Sequence, residues 1–277
     1  MPQVKRGLWV DIVYGSAYYV AILFLRLSKL PVIGKPFEAL GTRSRFSVIT
    51  VPMNVKVRET SAIMPFDAVR RLVEEASYVA IADTCLCRQT RRCKEYPASP
   101  GCVYLGEGAR TIKYKVREAG KQEALEWLER ARSMGLVTNV IWSSVEFKAL
   151  GADAARTIEV CSCCPCCCLM FKTRNASRAY MDGILGFGVA RPVNAEECTH
   201  CTNCESACPF KAIRVDIHDG PIIDTGRCKG CGRCETVCRA KVLKVFPAEP
   251  NGDFSNSCER RCANTAEYME RFLAMVR

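Results

Sequence analysis

The segment from Cys198 to Cys238 constrains this chain more than any other, because it carries eight cysteines in two copies of one pattern. The first copy is Cys198-x2-Cys201-x2-Cys204-x3-Cys208, and the second is Cys228-x2-Cys231-x2-Cys234-x3-Cys238. The two stretches, CTHCTNCESACPFKAIRV and CKGCGRCETVCRAKVLKV, align without a gap. In each copy the x2 spacing brings three thiolates onto one tight loop, and the fourth thiolate follows at the start of a short helical turn.

Three thiolates on one loop suit three corners of an iron–sulfur cubane, and the fourth thiolate reaches across to the other cluster. The spacing therefore predicts two [4Fe-4S] clusters that exchange their fourth ligands. Cluster I would take Cys198, Cys201, Cys204 and Cys238, and cluster II would take Cys228, Cys231, Cys234 and Cys208. This double motif resembles the bacterial two-[4Fe-4S] ferredoxin domain, whose clusters have potentials of roughly −400 mV.

Zinc sites and disulfides are the alternatives for these eight cysteines. Zinc ribbons use two Cys-x2-Cys pairs separated by a longer loop, which is not the spacing here. A disulfide framework would need a secretory signal, and we recognise none. The two copies differ after the fourth cysteine, where Pro209 is replaced by Arg239. A cation beside cluster I is expected to favour its reduced state and to raise its potential.

The composition points to metal sites in a reducing compartment. The chain of 277 residues has room for about two domains. It contains 20 cysteines, so 12 remain outside the double motif, enough for three further clusters as an upper bound. The formal charge of +11 is partly offset by the clusters, each about −2 with its four thiolates. The basic residues are scattered, so we expect no nucleic-acid partner.

The N-terminus contains an uncharged run, Ile12 to Leu25, between Asp11 and Arg26. As a helix it would reach roughly 21 Å, short of the roughly 30 Å hydrocarbon core of a bilayer. Its aromatic residues and the following cations suit a helix that lies in a membrane interface. They equally suit a helix that docks on a partner subunit or on the core of the protein itself. A helix that spans the membrane is the less favoured alternative.

The remaining pattern predicts an α+β fold in four parts: residues 1–45 (an apolar helix and a basic connector), 46–180 (a cysteine-rich α/β domain), 181–250 (the ferredoxin-like domain) and 251–277 (a tail with Cys258, Cys262 and a short helix). Alternation in FSVITVPMNVKVRE, residues 46–59, predicts one or two strands. Helices are predicted from Pro65, over 121–134 and over 265–276. The 121–134 helix, Gly135 and the strand-like segment 139–144 resemble the end of a winged helix, here expected to act as a scaffold.

A second group of cysteines comprises Cys85, Cys87, Cys93 and Cys102, within eighteen residues. Four thiolates are the complement of one cubane, and four flanking cations would offset its negative charge: Arg88, Arg91, Arg92 and Lys94. Zinc uses the same four sulfurs equally well. Because the same chain contains the double motif, a third iron–sulfur cluster is favoured over zinc.

The third group is a run of six cysteines in eight residues: Cys161, Cys163, Cys164, Cys166, Cys167 and Cys168. Neighbouring side chains in an extended segment point to opposite sides, so they cannot all face one metal. Alternate members are therefore candidates for different clusters, including a fourth, with Cys258 and Cys262 as further candidates. Packed or reactive thiols are the alternative for some of them.

The order of these groups, C-x-C-R…C…C, then a helix ending in GLV, then C-x-C-C-x-C-C-C and the double motif, resembles a family of 4Fe-4S dicluster-domain proteins from anaerobic bacteria and archaea. The resemblance covers about Pro65 to Ala248. It implies an iron–sulfur electron carrier or a subunit of a redox complex. The N-terminal run and the Cys258/Cys262 tail lie outside it.

Other cofactor chemistry has little support in the sequence. There is no Cys-x-x-Cys-His haem motif, and the segment GILGFG, residues 183–188, lacks the order of a dinucleotide fingerprint. The two histidines, His200 and His218, are too few for chemistry that depends on them.

The sequence thus predicts a non-catalytic electron-transfer subunit of an anaerobic redox complex. The expected partners are a flavoprotein, a hydrogenase or reductase subunit, or a ferredoxin, with possible membrane-surface contact through residues 8–30. We expect a cytoplasmic location, including the cytoplasmic face of the membrane. The alternative is a catalytic iron–sulfur reductase with an open or unusual cluster at Cys161–Cys168. A redox-sensing regulator, which would bind DNA in a salt-dependent way, is the minor alternative.

Overall fold

The computed structural model describes residues 8–42, 45–53, 65–247 and 259–277. Cys258 and the predicted strand positions 54–59 lie outside the described residues. The fold is a mixed α/β structure, as the sequence predicts. Its strands are β1 (Phe46–Val51), β2 (Val79–Ala82), β3 (Val103–Leu105), β4 (Val116–Glu118), β5 (Val137–Ser143), β6 (Ile158–Cys163), β7 (Ile184–Gly186), β8 (Gly188–Pro192), β9 (Ile213–Asp216), β10 (Gly220–Ile223) and β11 (Leu243–Pro247).

A seven-stranded sheet in the order β4-β2-β3-β6-β5-β1-β7 organises the chain from residue 46 to 186. Its neighbouring strands are antiparallel except for the parallel pair β1–β7. Every residue of β5 and β6 is buried, which explains their nearly continuous apolar and small-residue sequences. The buried Asn139 of β5 is satisfied in part by Thr50, whose hydroxyl donates to its side-chain oxygen at 2.8 Å.

The helices cover this sheet and link it to the rest of the chain. They are α1 (Leu8–Leu27), α2 (Lys35–Glu38), α3 (Pro65–Glu75), α4 (Leu86–Thr90), α5 (Lys121–Ser133), α6 (Ser144–Leu150), α7 (Leu169–Lys172), α8 (Arg178–Asp182), α9 (Asn203–Ala207), α10 (Arg233–Val237) and α11 (Glu259–Val276). Helix α3 begins at Pro65 as predicted and buries Val69, Leu72 and Val73. Helix α11 is longer than predicted at its N-terminal end.

The predicted order of helix, turn and strand after residue 121 is present. Helix α5 ends before Gly135, which has a φ of +79° and so takes the left-handed conformation that favours glycine. Strand β5 then pairs with β1 on one side and β6 on the other. It is therefore an interior strand of the large sheet.

The ferredoxin-like part repeats its backbone as well as its sequence. Helices α9 and α10 pack together, β9 pairs with β10, and β8 pairs with β11. Positive φ values recur at matched positions of the two copies, thirty residues apart: His200 and Gly230, Thr202 and Gly232, Lys211 and Lys241. The two cysteine loops therefore share one conformation.

Two connections tie the predicted parts of the chain together. Strand β7, predicted to lie in the ferredoxin-like part, forms the edge of the large sheet beside β1. The C-terminal helix α11 returns to α3, and the carbonyl of Val276 accepts hydrogen bonds from the backbone and hydroxyl groups of Ser77. The segments 181–187 and 259–277 thus pack on the cysteine-rich part.

Helix α1 packs along the cysteine-rich part by one face. Tyr14 meets Tyr114 edge to face, with ring centroids 4.9 Å apart, and Leu25 packs with Ala176 and Tyr180. Its opposite face is exposed and apolar, with Val13 at 60 % exposure. No helix among the described residues is long and apolar enough to cross a membrane.

Candidate metal centres

The four thiols predicted for cluster II line one cavity. Three come from the second copy of the motif and the fourth from the first copy; they are Cys228, Cys231, Cys234 and Cys208. The cavity is closed by Phe210, Ile213 and Ala190, so it is largely apolar. Burial raises the pKa of the Cys231 thiol to about 12. A bound metal would instead hold these sulfurs as thiolates, because coordination replaces the lost solvation.

The cysteines predicted for cluster I lie on the more open side of the domain. Burial and, secondarily, the nearby thiols of Cys238 and Cys198 raise the pKa of the Cys204 thiol. Cys201 is exposed. The Cys204 sulfur therefore lies near Cys198 of its own copy and near Cys238, the last cysteine of the other copy.

Backbone N–H groups are directed at the sulfurs in both halves. The amide of His200 donates to Cys198 Sγ at 3.4 Å, and the amide of Ala212 donates to Cys208 Sγ at 3.3 Å. The amide of Ala190, on strand β8, donates to Cys228 Sγ at 3.4 Å. Such bonds stabilise thiolate charge and tune the potential of an iron–sulfur cluster. The loops therefore fit the group that the motif predicts.

Ten further cysteines have described side chains, and they separate into two groups in the structure. Cys262 lies on α11, but its side chain is outside the described part of the chain. The first group, which we call the six-thiol group, forms a closed ring of neighbouring sulfurs and consists of Cys85, Cys102, Cys161, Cys163, Cys168 and Cys87. The sulfur–sulfur distances are 3.5 Å for Cys102–Cys161, 3.2 Å for Cys161–Cys163 and 3.1 Å for Cys163–Cys168. All of these residues are buried except Cys87, which is partly exposed.

Two thiols of the six-thiol group have lowered pKa values. Hydrogen bonds with Cys102 and Cys87 hold the pKa of the Cys85 thiol well below its usual range. Hydrogen bonds with Cys161, Cys163 and Cys87 do the same for the pKa of Cys168. Bound to a metal as thiolates, the six sulfurs would concentrate negative charge in a dry interior, which needs a compensating cation.

Arg88 is the cation that faces this charge. Its side chain is 1 % exposed, and the guanidinium donates to the backbone carbonyls of Ser162, Ala98 and Pro100. Among the described residues it makes no salt bridge with a carboxylate, and its Nε is buried without a partner. The nearby charges that raise its pKa are thiols. A buried arginine that is held by backbone carbonyls and lies beside thiols fits an anionic metal–thiolate centre.

An acidic side chain also belongs to this region. A carboxylate oxygen of Glu159 and the sulfurs of Cys102 and Cys161 all lie within 4.8 Å of one another, and all three residues are buried. Burial and the neighbouring Glu146 raise the pKa of Glu159. The sequence analysis missed Glu159. Its position two residues before Cys161 in a buried strand places both on one face, which was the available signal.

The second group, which we call the four-thiol group, consists of Cys93, Cys164, Cys166 and Cys167, whose sulfurs all lie within 4.8 Å of one another. The hydroxyl of Tyr18, on α1, donates to the carbonyl of Cys167 at 2.5 Å. The structure therefore places Cys93 apart from Cys85, Cys87 and Cys102, with which the sequence analysis grouped it. The run from Cys161 to Cys168 is divided between the two groups.

Comparison with known protein families agrees with the double motif. Residues 197–243 match the family described as the 4Fe-4S dicluster domain. The match covers less than half of the chain, so it identifies this part of it. A search of curated proteins found no match. Together with the loop geometry, the match shows that this part of the chain is an iron–sulfur, ferredoxin-like domain. Such a domain is typical of electron-transfer proteins.

Proposed function

We propose that this protein is a subunit of an anaerobic, multi-subunit redox complex, in which it relays single electrons through a series of iron–sulfur clusters. One observation carries the proposal: a second, buried thiol centre adjoins the dicluster domain within one folded body. Cys168 of the six-thiol group directly precedes α7. The residues after α7 contact the loop behind Cys208, where Arg174 donates to the carbonyl of Pro209 at 2.9 Å.

In this proposal the clusters supply the one-electron chemistry, and the protein supplies position and electrostatics. The N–H donors to Cys198, Cys208 and Cys228 stabilise the charge that a reduced cluster gains. In this proposal Arg88 does the same at the six-thiol group. We assign the ligand sets of clusters I and II as the sequence predicts them, with the exchange of Cys208 and Cys238 between the two copies.

The exposed face of α1 supports a role as a subunit. Ile12, Val13, Val20 and Leu23 are exposed on one side of the helix, while Tyr18 and Leu25 are buried on the other. A contiguous apolar stripe on an otherwise packed helix is typical of a contact surface. We propose that it docks on a redox partner, such as a flavoprotein, a hydrogenase or reductase subunit; contact with a membrane surface is the alternative that the exposed Arg26, Lys29 and Lys35 favour.

Metal and sulfide analysis of the anaerobically purified chain, with a redox titration followed by electron paramagnetic resonance, tests the proposal. About eight irons with two interacting reduced-cluster signals would mean a dicluster ferredoxin without further clusters. About twelve irons or more, with additional signals that titrate at low potential, would support the relay. Rapid reduction of all clusters by one low-potential donor, without turnover of a substrate, would further support electron transfer as the function.

A catalytic iron–sulfur reductase is the second candidate, and Glu159 is the observation that favours it. A carboxylate among thiols offers an oxygen donor, and a cluster with a non-cysteine ligand can exchange that position with a small molecule. Adding cyanide or carbon monoxide to the reduced protein would separate the two functions. A signal that shifts with the added molecule favours catalysis, and unchanged signals favour electron transfer alone.

A further inference from the structure

We propose that the four-thiol group binds a single tetrahedral divalent metal ion, zinc or iron, and is a centre of a different kind from the iron–sulfur clusters. The group consists of Cys93, Cys164, Cys166 and Cys167. Its proposed role is to hold three parts of the chain together. The inference does not depend on the electron-transfer function, because it rests on the arrangement of four sulfurs.

The spacing of the sulfurs suits one ion. With a Zn–S distance of about 2.3 Å, the sulfurs of a tetrahedral site are about 3.8 Å apart. All four sulfurs of the group lie within 4.8 Å of one another, and Cys93 Sγ is 3.4 Å from Cys166 Sγ. A cubane holds its thiolates farther apart, because each of them binds a different iron at a different corner.

The same chain provides an internal comparison. The eight cysteines of residues 198–238 fall in the dicluster match, so they mark where cubanes belong. All eight are described, and no three of their sulfurs lie within 4.8 Å of one another. The thiols of the four-thiol group are therefore closer together than the eight thiols of the dicluster match. In the six-thiol group only three sulfurs, those of Cys161, Cys163 and Cys168, all lie within 4.8 Å of one another, so no four of its thiols form such a set.

The local backbone also resembles that of a mononuclear site. Cys164 and Cys167 are separated by two residues, and the amide of Cys167 donates to Cys164 Sγ at 3.3 Å. The backbone N–H groups of Glu95 and Tyr96 also donate to the Cys93 sulfur. Turns that direct N–H groups at the sulfur two or three residues earlier stabilise thiolates at metal sites.

The position of the group explains what a structural ion would do. Tyr18 of α1 donates to the carbonyl of Cys167, and Lys172 donates to the carbonyl of Cys166 at 2.7 Å. On the other side, Arg233 of α10 donates to the hydroxyl of Tyr96 and to the carbonyl of Gly135. An ion at this point would fix the N-terminal helix, the end of α5 and the ferredoxin-like part against each other.

The test is the loss of metal and acid-labile sulfide in single variants of the full chain, because a mononuclear site contains no inorganic sulfide. Cys93→Ala is expected to lose about one zinc or one iron per chain and no sulfide. Cys87→Ala, in the six-thiol group, is the matched control and is expected to lose iron together with sulfide. Loss of about four irons with their sulfide from Cys93→Ala would overturn the proposal.

A second measurement on the unchanged chain covers the case in which Cys93→Ala does not fold. X-ray absorption at the zinc edge is expected to show a shell of four sulfurs at about 2.3 Å without a neighbouring metal. If the site holds iron, the oxidised protein is expected to show a high-spin ferric signal that accounts for one iron per chain. Absence of both stoichiometric zinc and mononuclear iron would reject the single-ion site.

Discussion

The ring of Phe171 stands edge-on to the ring of Phe210, with centroids 5.3 Å apart and planes at 85°. Phe171 lies three residues after Cys168 of the six-thiol group, and Phe210 lies two residues after Cys208, the thiol assigned to cluster II. Both side chains are fully buried. The contact thus joins the two metal-binding parts of the protein through a short stretch of chain on each side.

Phe171→Ala is therefore expected to destabilise the whole protein and not one part of it. Truncation of a buried phenylalanine costs about 3–5 kcal/mol, from lost burial and the cavity that remains. Phe246→Ala is the control: that ring is 37 % exposed, and its loss is expected to cost about 1 kcal/mol or less. Anaerobic thermal unfolding of the metal-loaded chain measures both. Equal midpoints for the two variants would show that the aromatic contact does not support the fold.

Arg88→Met is expected to empty the six-thiol group while sparing the ferredoxin-like domain. Without the guanidinium, the negative charge of the thiolates has no buried partner, and loss of one member of a buried charge pair costs about 3–5 kcal/mol. Sulfide should fall to about the eight of two cubanes, and iron to about eight, or about nine if the four-thiol group holds iron. Arg88→Lys, which keeps the charge but not the three carbonyl contacts, should retain more metal than Arg88→Met.

Arg92→Met provides the control for charge alone, because Arg92 is an exposed cation four residues after Arg88. Its metal content should match that of the unchanged protein. Full metal occupancy in Arg88→Met would refute the role of Arg88 as the counter-ion of the six-thiol group.

Arg88 also shows what could be predicted from the sequence. Four cations lie among the upstream cysteines, and the sequence indicated that they offset the charge of a metal centre. It did not show which of the four is buried against the thiols; the structure places Arg88 there. The double motif was local: its two copies contain their own loops and helices, so spacing alone predicted a ferredoxin-like domain. Helices such as α3 and α5 followed from their 3.6-residue periodicity.

The grouping of the upstream cysteines could not be predicted, because long-range strand pairing decides it. Val103 of β3 pairs with Val160 of β6, which brings Cys102 opposite Cys161 across 59 residues of sequence. Arg92 has a φ of +46°, so the chain reverses just before Cys93 and leads it away from Cys85 and Cys87. Neither the register of two distant strands nor a left-handed arginine has a clear signal in one sequence.

Arg239→Gln is expected to lower the potential of cluster I. The N–H of Asn203 and, to a smaller degree, the charge of Arg239 lower the pKa of the Cys201 thiol, so the cation acts on this cluster's ligands. A positive charge favours the reduced, more negative cluster. A change of about 1 kcal/mol corresponds to about 40 mV for one electron, so a shift of tens of millivolts is expected, smaller at high salt.

Redox titration followed by electron paramagnetic resonance measures this shift, with Lys244→Gln as the control. Lys244 is an exposed cation on β11, which follows the last cysteine, and it should leave the potential nearly unchanged. An Arg239→Gln potential that equals or exceeds that of the unchanged protein would argue against electrostatic control by this residue.

The exposed face of α1 is expected to mediate assembly. Replacing Val13, Val20 and Leu23 by serine removes apolar surface that is already in solvent; Leu23, for example, is 52 % exposed. The fold and the metal content should therefore change little, because surface substitutions usually alter stability by about 0.5 kcal/mol or less. Binding to a partner should weaken, since about 25 cal/mol is lost for each Å² of apolar area no longer buried.

Anaerobic purification of the native complex from cells that express a tagged chain, compared for the unchanged protein and this triple variant, measures that binding. A partner subunit that co-purifies only with the unchanged chain supports docking on a protein. If instead the unchanged chain alone sediments with vesicles of anionic lipid, the stripe and the cations Arg26, Lys29 and Lys35 act together at a membrane surface. Equal assembly and equal sedimentation of the two proteins would mean that the exposed face of α1 has no binding role, because the substitutions remove most of its apolar surface.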